Sequence, residues 1–165
     1  RIIVAETLSY WMQRIAEIKG EAMPVICVGD FNDEPFNRSL VEYALSTDSV
    51  AKIMNARKPQ AKLGETVRVP YLLNLMWKLL GQNRGTFVFS GDKNLLDQFL
   101  VNRAIAVDSE ISKFRAGETN ILDDLPELIS GDYNTPRKFG KPSGDLDETG
   151  FSDHLPITFL LEEMV

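Results

Sequence analysis

Apolar residues in the first part of the chain follow two different periods. Over residues 5–19, Leu8, Trp11, Met12, Ile15 and Ile18 recur at helical spacing. That stripe predicts an amphipathic helix, which Gly20 is placed to stop. Residues 24–28 then run Pro24-Val25-Ile26-Cys27-Val28 without a polar break, which predicts a strand buried on both faces that turns at Gly29-Asp30. Pro35 suits the first position of a further helix, with Leu40, Tyr43 and Ala44 forming its apolar face to about residue 45.

The middle of the chain is punctuated by Pro59, Gly64, Pro70 and Gly81, with a short helix expected over 71–80. Structure of the β type restarts at Gly85-Thr86-Phe87-Val88-Phe89, turns over 90–94 and continues as a strand over 96–101, together a hairpin. A short strand is expected at 105–107, and a long loop over 117–150, where Gly, Pro, Asp and Asn are frequent. Residues 157–161 form the last expected strand. Strands 24–28, 96–101 and 157–161 are apolar on both faces or nearly so, and such a sheet must be covered on both sides. The helix at 5–19, aided by 36–45, covers one face. No comparable amphipathic helix remains for the other, so a second layer from elsewhere is expected.

Composition narrows the class. A length of 165 residues supports one domain with a real core and is short for two. No apolar stretch approaches the roughly 20 residues that a membrane-spanning helix needs. The single cysteine, Cys27, lies inside an apolar run, excludes an internal disulfide and reads as a packing residue. A formal net charge of −6 argues against an indiscriminate binder of polyanions. Yet residues 52–84 hold seven bases (Lys52, Arg57, Lys58, Lys62, Arg68, Lys78, Arg84) against one acid, Glu65. That segment reads either as a solvated loop or as a phosphate-facing surface. No leader is visible, and an opening residue other than Met leaves the compartment unread.

Three short motifs carry the candidate chemistry. Gly29-Asp30-Phe31-Asn32 ends the first strand, Leu96-Asp97-Gln98-Phe99-Leu100-Val101 forms a later one, and Ser152-Asp153-His154-Leu155-Pro156 precedes the last. Hydrolysis of a phosphate ester needs an activated water, countercharge for the phosphate oxygens and help for the leaving oxygen. Asp30, at the mouth of a buried strand, suits the proton acceptor. Asn32 can donate to a phosphate oxygen without adding negative charge. Asp97 is an acid in an apolar run, and burying it without a partner costs several kcal/mol. His154 is the only imidazole in the chain able to relieve that cost. Each motif taken alone reads equally well as a polar turn beside a strand.

Together, in this order and spacing, the GDFN, LDQFLV and SDHLP segments resemble those of the endonuclease/exonuclease/phosphatase superfamily, the deoxyribonuclease-I-like hydrolases. The resemblance runs over essentially the whole chain and matches the C-terminal half of such proteins. It implies an α/β (α+β) fold that is half of a four-layer α/β/β/α sandwich, one mixed sheet with helices on its outer face. It assigns Asp30 to orienting or deprotonating the water, Asn32 to the phosphate, His154 to the scissile phosphate and Asp97 to His154. Asp153 then belongs to the metal site, directly or through water, with Mg2+ as cofactor and Mn2+ as its alternative. An N-terminal half, with an Asn, a metal-binding Glu and a further His or Asp, would precede residue 1. Residues 1–165 alone are therefore expected to be inactive, and the sheet face left bare is expected to pair with a second copy.

The expected activity is metal-dependent phosphodiester hydrolysis, most simply by a nuclease. A phosphatase or phospholipid or inositol-phosphate hydrolase is the alternative, since the motifs address only the shared phosphate. The basic segment leans towards nucleic acid, whereas Tyr71, Trp77 and the leucines between them suit a lipid-like group. A binding module that keeps the fold without catalysis is the reading from another class.

Overall fold

The computed structural model describes residues 1–59, 66–106, 112–131, 133–140 and 146–164. Helix α1 (Ile2–Lys19) ends at Gly20, whose φ of 85° suits a residue without Cβ. Strand β1 (Ile26–Asp30) follows, then a π-helical turn over Ser39–Tyr43, β2 (Ser46–Thr47), α2 (Val50–Asn55), β3 (Arg57–Pro59), β4 (Thr66–Arg68) and β5 (Leu72–Asn74). A 3-10 turn at Trp77–Leu79 leads to β6 (Phe87–Phe89), β7 (Asp92–Asn94), β8 (Asp97–Val101) and α3 (Arg103–Ala106). The chain closes with β9 (Phe114–Ile121), β10 (Ile129–Ser130), β11 (Thr135–Pro136) and β12 (Ile157–Glu163).

The main sheet is mixed, with strand order β1-β8-β5-β2. Strand β8 pairs antiparallel with both β1 and β5, whereas β5 and β2 run parallel. This agrees with the α/β class expected. Alternation along β8 explains how the two faces are filled. Leu100 points to a cluster with Met12 and Leu72, flanked by Leu8, Ile15, Val25, Cys27 and Phe31, which seats α1 on the sheet. Phe99 and Val101 point the other way, into a cluster with Ile105, Ile121 and Leu155, packed by Ile157 and Phe159.

That second cluster corrects the expectation of one sheet containing 24–28, 96–101 and 157–161. Strand β12 pairs with β9 in a separate antiparallel sheet, which lies over β8 with the Phe99 and Phe159 rings 4.7 Å apart. Over β8, the covering strands thus come from this chain. The edge strand β1, expected to be buried on both faces, keeps an open apolar face, with Ile26 38% and Val28 59% exposed, and β12 exposes Leu160 and Leu161.

Other departures have local causes. On α1 the buried line runs through Ala5 and Met12, while Trp11 and Ile18 are exposed, so the inward stripe is narrower than the apolar one. The expected helix at 71–80 is strand β5 followed by a single turn. Its apolar run has no decisive period, and the buried Asn74 side chain accepts the Met76 amide at 2.9 Å to turn the chain. The hairpin pairs β6 with β7, and β8 leaves it for β1 and β5. Residues 103–106 are helical where a strand at 105–107 was expected, and Val107 lies outside the described residues. Cys27 is half-buried, and burial pushes its thiol pKa up, as suits a packing cysteine rather than a reactive thiolate.

The basic segment is divided among several structural tasks. Arg68 donates to Glu21 at 2.9 Å and to the Met54 carbonyl, near the start of β1. Arg84 grips Asp123 with two hydrogen bonds, 2.8 and 2.6 Å, and also donates to the Asn120 side chain and the Ile121 carbonyl of β9. Lys62 and Glu65 lie outside the described residues. Leu72 and Leu75 are buried, which removes them from any lipid contact.

The Arg84 hydrogen bonds hold the Asp123 carboxyl below the usual carboxylate range, so the pair makes stability depend on pH. Because the folded value is the lower one, the contribution is fully present above the unfolded value of about 3.9. It is lost as pH falls through the folded value. Asp123→Asn is expected to lower the melting temperature at neutral pH, and that deficit should shrink below about pH 4. Thermal unfolding of both proteins from pH 7 to pH 3 checks it. A deficit unchanged across that range would show that the carboxylate charge contributes nothing.

Candidate active site

The antiparallel register of β1 and β8 places Asp30 directly opposite Asp97. Like charges facing each other across two strands destabilise the pair unless something lies between them. Here the imidazole of His154 does so. Its Nδ1 is 2.6 Å from Asp97 Oδ2 and its Nε2 is 4.0 Å from Asp30 Oδ2. A carboxylate oxygen only accepts, so Nδ1 carries the proton in that contact and Nε2 faces Asp30. The three donor groups lie within 4.8 Å of one another.

Thr86 brings the histidine to this place. It is fully buried, and its Oγ1 accepts the amide hydrogens of both Leu96 and Asp97 at 3.2 Å, fixing the start of β8. Its carbonyl accepts the Leu155 amide at 2.7 Å, which anchors the residue after His154. Leu155 is itself buried in the inter-sheet cluster, so the motif is held by packing as well. Phe87, next to Thr86, forms an isolated bridge with His154 and places its ring 4.9 Å from the imidazole. One residue therefore ties the Asp97 strand to the His154 segment. It gave no signal in the sequence, where it reads as an ordinary strand position.

Asp30 is oriented by its own turn. Asn32 adopts φ 55°, a left-handed conformation that Asn tolerates better than most residues. Its backbone N–H donates to Asp30 Oδ1 at 2.7 Å and its Nδ2 donates to Oδ2 at 3.0 Å. The Asn32 side chain thus steadies the carboxylate, and its amide group has a second hydrogen to give. Beneath this turn, the buried Gln98 donates to the carbonyls of Asp33 and Leu95 at 3.1 and 2.6 Å, and accepts from Asn74 at 3.0 Å. Glu34 accepts the Leu95 amide at 2.9 Å. Loop 31–37 is therefore tied to the start of β8 by side chains that the sequence alone does not single out.

The structure brings Asp30, Asn32, Asp97 and His154 together. Asp153 is exposed and does not belong to the cluster of facing donor atoms, although it precedes His154 in the chain. As a donor set, two carboxylates suit a hard divalent cation, which keeps much of its shell for water and phosphate. The imidazole is bound to Asp97 and is better placed to meet a phosphate oxygen.

Comparison with protein families matches residues 1–163 to the endonuclease/exonuclease/phosphatase family. The match covers nearly the whole chain, and the chain belongs to that family. No curated protein and no solved structure matches it. The family is one of phosphate-ester hydrolases, and the match agrees with the resemblance carried by the three motifs.

Proposed function

We propose that this chain carries the water-activating and phosphate-binding half of a Mg2+-dependent phosphodiesterase, most simply a nuclease. The observation that carries the reading is the 2.6 Å contact between His154 Nδ1 and Asp97, with Asp30 opposite in register. Asp30 takes the proton from the attacking water. Asn32, which already holds Asp30, turns its second amide hydrogen to a phosphate oxygen. His154 meets the scissile phosphate through Nε2, while Asp97 keeps the ring in one tautomer and orientation. Asp153 would hold the cation, directly or through water, and the paired carboxylates of Asp30 and Asp97 add to the negative field that draws it in. Bound there, Mg2+ or Mn2+ supplies countercharge to the phosphate oxygens.

This reading includes a preceding half of the domain that provides a metal-binding Glu, so the assay uses the full-length protein. Plasmid DNA, an abasic-site duplex and a phosphoinositide are each incubated with Mg2+ or with EDTA. Cleavage of a DNA substrate with Mg2+ and none with EDTA is the expected result. Phosphoinositide hydrolysis alone would move the substrate to lipids. Binding of a substrate without hydrolysis under any metal would replace the enzyme by a binding module.

A further inference from the structure

A cavity of about 250 Å3 lies between α1, α2 and the turn after β4. It sits at the opposite end of β1 from Asp30. Asn102 marks that end, accepting the Val25 amide at 3.0 Å and donating to the Met23 carbonyl at 2.8 Å. The walls are largely apolar, built from Met12, Ile15, Ile53, Val69 and Tyr71. An apolar cavity of about 150 Å3 already takes a benzene ring, so this one has room for a ring or a short alkyl chain.

Two guanidinium groups share one carboxylate at its edge. Arg68 is spent on Glu21 at 2.9 Å and on the Met54 carbonyl. Arg103 reaches the same Glu21 oxygen only at 3.9 Å, beyond hydrogen-bond range, and its Nε is buried without an acceptor among the described residues. Glu17, the other acid on the wall, is taken by Arg14 and Gln13. That Nε has no open surface to meet a ligand, but the outer nitrogens of the guanidinium make no hydrogen bond among the described residues, and such a group is matched by the paired oxygens of a carboxylate or phosphate.

We propose that this cavity binds a small amphipathic anion, with its apolar body against the α1 wall and its headgroup on Arg103. The site is separate from the hydrolytic centre and does not depend on its assignment. Titration calorimetry with octanoate, octyl phosphate and octanol tests it. Saturable binding of at least one of the two anions is expected, with octanol at least tenfold weaker. Octanoate alone would identify a carboxylate ligand, octyl phosphate alone a phosphate. Arg103→Met, which keeps the length of the stem, should weaken the anion at least tenfold. Should that variant fail to fold by circular dichroism, Ala16→Phe, at a position of α1 that lines the cavity, fills it with Arg103 intact and should abolish binding. Absence of binding by both anions, equal binding of octanol, or binding unchanged in the folded variant would overturn the proposal.

Discussion

Asp30→Asn in the active full-length protein is expected to fold and bind substrate as the parent does, while turnover falls by roughly 10²–10⁴-fold. The substitution keeps shape and removes the proton acceptor. The Asn32 backbone N–H still finds an oxygen at position 30, so the turn itself should survive. His154→Ala should lose turnover on a similar scale, because it removes the imidazole that lies between two facing carboxylates. Asp97→Asn gives the more selective test. An amide that replaces the acceptor beside Nδ1 by an N–H favours the wrong tautomer and leaves the ring misaligned. Turnover should fall with little change in substrate affinity. Steady-state kinetics on the substrate identified for the parent decide all three. A folded variant that keeps near-parental turnover would remove its residue from the chemistry.

Leu100→Ala is expected to cost about 2–5 kcal/mol of folding stability, the usual penalty for emptying a buried leucine site. Leu100 is fully buried where α1 crosses the sheet, against Met12 and Leu72. Domains of ordinary stability hold about 5–15 kcal/mol in reserve, so the loss is a large share of the total. It should also reach the candidate site, since Leu100 lies on β8, the strand that begins with Asp97. Urea unfolding measures the change. A loss below about 1 kcal/mol would mean that the helix moves in to fill the space.

The site was more legible in the sequence than the fold around it, for physical reasons. An acid inside the run 96–101 demands a partner, and a chain with one histidine has one imidazole to offer. The 2.6 Å contact between Asp97 and His154 agrees with that demand. Strands β1 and β8 and helix α1 were likewise visible, because short apolar runs ended by turn residues and amphipathic stripes are strong patterns. Strand β9 was hidden because half of its residues, FRAGETNI, are polar and a glycine interrupts the rest. It is held by pairing with β12 and by contacts such as Arg115 with Glu162 at 2.6 Å, which only a distant partner reveals. Strand β5 was lost in an apolar run that fits helix and strand equally. Thr86 could not be found at all, since its value lies in a hydroxyl that accepts two amides from another strand. Pattern reports what a segment buries, whereas backbone partners are set by the rest of the fold.

The solitary histidine also makes the site observable by spectroscopy. With one imidazole among residues 1–165, the ring protons of His154 give a single set of imidazole signals in a magnetic resonance spectrum of those residues. The neighbouring Phe87 ring, 4.9 Å away, displaces those signals from their positions in a free imidazole. Movement of the His154 segment away from β6 would therefore be recorded directly, without label or substitution. Cation or phosphate arriving beside the ring would be recorded in the same two lines.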